Sequence, residues 1–219
     1  MRRTLFFTLI AGFWVLATPT AQQTQQGMAE QFLSKRQKPL LQYVALRHLE
    51  ASNAVFAGSL EVLTTQLNKT FTYVIISEKG NSYIRNSILR EFLQGEKKLI
   101  ERGQDLDNSF SLGNYTVGQL ETVESGWKLP VKPRRNNNLY KECSLFINHS
   151  GDILRSNGRV KSPSFWLYNV VIDTTFNQIN DVRMPISFKS TAQVLFFGRS
   201  KFQMDYTYTS VNFEEVIHK

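Results

Sequence analysis

From Leu40 onward the chain alternates apolar and polar positions. Tyr43, Ala45, Arg47 and Leu49 interleave with Val44, Leu46, His48 and Glu50. A period of two marks a strand, and Ser52-Asn53 supplies its turn. Residues 55–65 and 71–78 repeat the pattern, with Asn68-Lys69 between them and an aromatic, β-branched centre at Tyr73, Val74, Ile75 and Ile76. The period then lengthens. Over 84–102, Ile84, Ile88, Leu89, Phe92, Leu93, Leu99 and Ile100 lie along one helical stripe. Asn81 or Ser82 can cap its start, and Gly103 stands where a C-terminal cap belongs. A second amphipathic stretch at 22–37 puts Met28, Phe32 and Leu33 on one face before Pro39 ends it.

After a polar loop at 104–111, the pattern predicts strands near 117–124, 127–131, 139–148, 152–159, 165–176, 184–197 and 201–213. Every gap between them is short, and a parallel crossover needs about a dozen residues or more, so successive strands pair antiparallel. No βαβ rhythm is present. The fold class is therefore α+β: a single, strongly curved antiparallel sheet of about ten strands, with helices covering one face. In the last strand, Phe202, Met204, Tyr206 and Tyr208 share a face. In 165–176, Trp166, Tyr168, Val170, Ile172 and Phe176 oppose Phe165, Leu167, Asn169, Val171 and Asp173. Large apolar groups on both faces require cover on both, or a cavity on one.

The N-terminus reads differently. Arg2 and Arg3 precede an uncharged apolar run at 5–17, and small residues follow at Thr18, Thr20 and Ala21. That is the plan of a secretory signal peptide, with cleavage after Ala17 or Ala21. An uncleaved anchor is the alternative, but a bilayer span needs about 20 apolar residues. The expected organisation is a signal peptide at 1–21 and one domain at 22–219, in the periplasm or secreted.

Composition adds two limits. A hydrophobic content of 42% is globular, and a single cysteine, Cys143, excludes an internal disulfide and a multi-cysteine zinc site. The net charge of +8 draws the protein to anionic surfaces, a membrane among them. Export argues against nucleic acid. The densest basic run, 128–135, holds two prolines and reads as a solvated connection. Three glycosylation triplets, at Asn68, Asn114 and Asn148, are close to the roughly two that chance supplies.

No reaction centre is legible. There is no G-x-S-x-G, no H-x-H or H-E-x-x-H, and no phosphate-binding glycine loop. His48, His149 and His218 are scattered, and Cys143 falls within a strand, where an inert buried thiol is expected. Asp105 with Asp107, and Glu214 with Glu215, belong to a loop and a tail. No enzyme activity, cofactor or metal is expected.

Element order and several stretches resemble the periplasmic lipoprotein-carrier superfamily, the LolA/LolB-like fold, and the bacterial proteins called outer-membrane lipoprotein-sorting proteins. The stretches are Gly126-Trp-Lys-Leu-Pro with Lys132-Pro-Arg, Gly151-Asp-Ile-Leu-Arg with the segment 158–166, Ile179-Asn-Asp-Val-Arg-Met-Pro, and Gly198-Arg-Ser-Lys-Phe-Gln-Met-Asp-Tyr. The resemblance implies a half-open barrel whose concave side is covered by helices. It implies an apolar cavity for an acyl lipid or lipoprotein, without chemistry. In such carriers a strand arginine holds a closed lid; Arg47, Arg155 and Arg199 all lie on or beside strands, and none is singled out by its surroundings in sequence.

The candidate cavity residues are Leu89, Phe92 and Leu93 from the helix stripe, with Trp166, Tyr168, Phe202, Met204 and Tyr206 from the sheet. Direct packing of these groups on one another is the competing expectation. It belongs to a second function: an envelope structural or interaction protein with a filled core, docking on an inner- or outer-membrane protein. A third, a hydrolase with a dispersed site, requires His48 or His149 within hydrogen-bond reach of a Ser, Cys or carboxylate.

Overall fold

The computed structural model describes residues 21–34, 40–103, 110–135, 139–161, 167–180, 182–196 and 198–213. The run of the expected signal peptide up to residue 20, and Trp166, lie outside them. Among the described residues, eleven strands form one antiparallel sheet. They are β1 (Leu40–Ser52), β2 (Ala57–Leu67), β3 (Thr70–Gly80), β4 (Tyr115–Val117), β5 (Glu121–Val123), β6 (Gly126–Pro133), β7 (Tyr140–Ile147), β8 (Ile153–Val160), β9 (Leu167–Ile179), β10 (Val182–Val194) and β11 (Gly198–Phe213). The order across the sheet is β3-β2-β1-β11-β10-β9-β8-β7-β6-β4, with β5 also on β6. The sheet does not close, and its curved form is half a barrel. Irregular register in the β1–β11, β2–β3, β7–β8 and β9–β10 ladders adds bends of the kind bulges produce.

Chain neighbours are sheet neighbours except around β4, which pairs β6 rather than β3 or β5, and at one seam. There β1 meets β11, with Leu49 opposite Met204 and Arg47 opposite Tyr206. The helical connection after β3 makes this possible by carrying the chain from one edge of the sheet to the other.

That connection is one continuous helix in three parts: α2 (Ser82–Ile84), a π-helical stretch (Arg85–Arg90) and α3 (Glu91–Glu101). The Asn81 side-chain oxygen accepts from the backbone N–H groups of Tyr83 (2.9 Å) and Ile84 (3.3 Å). At the other end Gly103, at φ +65°, donates its N–H to Ile100 O (2.9 Å). Ile84 and Leu89, both buried, are five residues apart. A π turn, hydrogen-bonded over five residues, lets them share the sheet-facing side. The helix lies on β1, β2 and β11 over Leu49, Leu60, Val62 and Met204. α1 (Ala21–Ser34) covers the other half of the same face; Ala29 and Leu33 are buried there, and Phe32 packs 5.3 Å from Trp127.

Two details depart from the pattern along the chain. The strand expected over 117–124 is two short strands. Leu120 turns into the core between them, and Gly118 donates to Pro130 O (2.7 Å). In β9, Asn169 adopts φ +51°, and the β9–β10 register shifts beside it, between Thr191 and Gln193. This extra residue resets the alternation. Leu167 joins the covered face with Val170 and Ile172, while Tyr168 is turned away and exposed.

Candidate functional site

The eight candidate cavity residues separate into three groups. Leu89, Leu93 and Met204 are fully buried in one cluster, with Phe92, Phe202 and Tyr206 packed against it. Phe92 reaches Phe202 (ring centroids 4.6 Å apart) and Phe188 (5.9 Å). Helix and sheet are thus in direct contact at mid-length. Tyr168 lies away from this cluster, and Trp166 is outside the described residues.

The open space is beside that contact. A cavity of about 700 Å³ lies between the start of the helix and the adjoining ends of β1, β9, β10 and β11. Tyr83, Ile84, Ser87 and Ile88 form its helical wall. Leu167, Val170, Ala192 and Val194 form its floor, and Phe202 closes its inner end. Leu195 and Phe196, from the β10–β11 turn, stand at its rim with Lys201. The lining is mostly apolar with scattered hydroxyls, and the described residues in it include no carboxylate. Of the seven candidates among the described residues, Phe202 alone lines this space. Ile88, which periodicity alone places on the buried stripe, faces the cavity because the π turn gives the sheet-facing side to Leu89.

The opposite flank of the helix is held by polar ties. Glu78 of β3 pairs with Arg85 and Arg90 of the π-helical stretch, each at 2.6 Å. These guanidinium groups, Arg90 foremost, hold the Glu78 carboxyl below its ordinary pKa. Gln94 donates to the Tyr73 hydroxyl (2.7 Å). Arg47 makes the deepest tie. Its two terminal nitrogens grip the Glu96 carboxylate of α3 at 2.6 and 3.1 Å, and one also donates to the Tyr43 hydroxyl. The guanidinium lies 4.7 Å from the Tyr206 ring centroid and 5.2 Å from that of Phe71. Burial by itself would lower the Arg47 pKa; Glu96, with Tyr206 and Tyr43, holds it above the ordinary value. Burial likewise raises Tyr43 and Tyr206.

Of the three strand arginines, Arg47 is thus the one enclosed between sheet and helix. Arg155 pairs with Asp173 on an exposed stretch, its Nε 2.8 Å from Oδ1, and Arg199 is exposed. The sequence held one signal: Arg47 falls in the same alternating set as Tyr43, Ala45 and Leu49. A charge on the apolar parity of a strand is either a fault or a built contact.

Among the remaining chemical groups, one histidine meets a carboxylate, as a dispersed hydrolase requires, on the exposed side of a strand. Cys143 is buried, and burial pushes its thiol up to about 12. His48 lies 2.8 Å from the Glu50 carboxylate on the exposed side of β1, and His149 packs edge-on to Trp127. His218, Asp105, Asp107, Glu214 and Glu215 lie outside the described residues. Among the described residues no three His, Cys, Asp or Glu side chains converge as metal ligands, and no helix is long and apolar enough to cross a membrane.

No family model and no curated protein matches the chain. It is similar to a DUF1329 family protein from Desulfovibrio piger, at 10% identity and a TM-score of 0.44 over 90% of this chain and 95% of that one. A Vibrio parahaemolyticus domain, provisionally named an outer membrane lipoprotein-sorting protein, is 11% identical, with a TM-score of 0.44 and the same coverage. A LolA superfamily protein from Nitrosomonas europaea is 10% identical, with a TM-score of 0.38 over 89% of this chain and 94% of that one.

Proposed function

We propose that the protein is an exported carrier or binder of a lipid or lipidated protein in a bacterial cell envelope, acting without covalent chemistry. The observation that supports this most is the cavity. Its 700 Å³ falls within the roughly 300–1,000 Å³ of small-molecule sites, and its walls suit an acyl chain. The helix forming one wall is pinned along its far flank by Glu78, Tyr73 and Arg47, so its cavity flank can yield first. Arg47 is the candidate for the arginine that keeps such a lid closed. In this reading the residues up to 21 are removed on export.

A fluorescent fatty acid, titrated into the purified protein, tests the reading. Saturable uptake is expected, as is its loss in Ala192→Trp, which fills the floor, in a protein that still unfolds cooperatively. Absence of uptake, with no lipid recovered by organic extraction from the native protein, would remove it. That result would favour the envelope interaction protein, which the close packing of Leu89, Leu93 and Met204 also suits.

A further inference from the structure

The β10–β11 turn presents Phe196, 95% exposed, at φ +70°. Both features are unfavourable for a phenylalanine. A positive φ in a hairpin turn is met at least cost by Gly or Asn, and a bulky side chain there is strained. The exposed ring also gains nothing from folding. Leu195 beside it is exposed as well. The adjoining β1–β2 turn offers Val55, 69% exposed, and the start of the helix offers Tyr83, 58% exposed. Register places both turns at one end of the sheet, because Ser52 opposes Lys201 in the β1–β11 ladder. That end is the cavity mouth, where Tyr83, Leu195, Phe196 and Lys201 belong to the lining.

Charge supplies the second half. Arg199 and Lys201 come just after the tip, both exposed. The nearest carboxylates on the two adjoining strands, Glu50 and Asp205, lie further from the tip, and Glu50 is within 2.8 Å of the His48 ring. We propose that this end of the molecule docks on an anionic lipid bilayer, with Phe196 entering the acyl boundary and Arg199 and Lys201 meeting the headgroups. Single apolar side chains on separate turns suit a fluid medium better than a shaped protein surface. An aromatic tip backed by cations is the combination that holds proteins at a charged membrane interface. Docked this way, the cavity opens toward the phase that holds its ligand. The inference extends the carrier reading and can fail separately from it.

Co-sedimentation with vesicles tests it, using the soluble protein isolated from the cells that export it. The vesicles are phosphatidylcholine alone or with about a third phosphatidylglycerol. Binding to the anionic vesicles is expected, weakening as salt rises to about 0.5 M. Phe196→Gly, which relieves the positive φ, should keep the melting temperature or raise it, yet bind about tenfold more weakly. Arg199→Glu should bind the anionic vesicles several-fold more weakly at low salt. Because Arg199 is outside the cavity lining, that variant should take up the fluorescent fatty acid as before. Equal vesicle binding by wild type and Phe196→Gly would overturn the proposal. So would a wild-type protein that takes up the fatty acid and ignores anionic vesicles, which would leave the carrier reading standing. Vesicle binding without fatty-acid uptake would support docking and remove the carrier reading.

Discussion

Arg47 and Glu96 are unequal partners, because the arginine side chain is 1% exposed and the glutamate 24%. Removing the carboxylate in Glu96→Ala strands a cation among Tyr43, Phe71 and Tyr206, which should cost about 3 kcal/mol or more. Arg47→Met leaves a carboxylate that can turn to water and an apolar stem of similar length, so the loss should stay below about 2 kcal/mol. Urea unfolding of both variants checks the order, and a reversed order would mean that the ion pair is not the main tie. Cys143 gives a pH test at the same scale. Its folded pKa is raised from an ordinary 9 to about 12 by burial. Below pH 9 the thiol is neutral in both states, and its contribution to stability is whole. Between 9 and 12 the unfolded chain ionises and the native one does not, so the contribution falls. The stability advantage of wild type over Cys143→Ala should therefore shrink between pH 7.5 and pH 10.5. A thiol reagent at pH 8 should label Cys143 only on unfolding.

At the scale of elements, two glycines separate entropy from sterics. Gly95 sits in α3 with nothing within 4 Å of an added Cβ. Gly95→Ala should stabilise the helix by about 0.5–1 kcal/mol. Gly126 begins β6 at φ +136°, where an added Cβ would lie 2.1 Å from Ile147 O. Gly126→Ala should cost about 2–3 kcal/mol, because strain and a backbone collision add and the β6–β7 hairpin must open to relieve them. Thermal unfolding of the two variants should shift in opposite directions. The helix gained its capping residues and its length from local chemistry. Its π-helical stretch came from the sheet, which rewards burial of both Ile84 and Leu89.

Across the whole molecule, the seam between β1 and β11 decides cooperativity. It joins Leu40 to Phe213 and Ser52 to Lys201, so the ends of the domain must find each other before the sheet is continuous. Refolding should be slow, in the millisecond-to-second range or beyond, as expected for a sheet of long-range pairings. Ending the chain after Val194 would leave β1 and β10 with open edges and take Met204 from under the helix. Such a truncated chain should show no sharp urea transition by near-ultraviolet circular dichroism. A sharp one would mean that β4 to β10 fold without the seam.

Alternation and turn chemistry are local, and the sequence alone determined the features they govern. Most of the strands, the short antiparallel connections, the helix caps at Asn81 and Gly103 and the shared face of Phe202, Met204 and Tyr206 were legible. A period of two, or a stripe at three and four, needs no knowledge of distant residues. The open curved sheet was legible too, because short gaps leave antiparallel neighbours as the available pairing. Positions that depend on several elements at once were decided only in three dimensions. Arg47 is enclosed by side chains from β1, β3, β11 and α3, and no window of sequence contains them together. Tyr168 changed face because one residue, Asn169, bulges, and a single extra residue inverts everything before it on the strand. The cavity lies at the end of the helix because Leu89, Leu93 and Met204 fill the middle, a matter of how volumes meet across the layers rather than of any pattern along the chain.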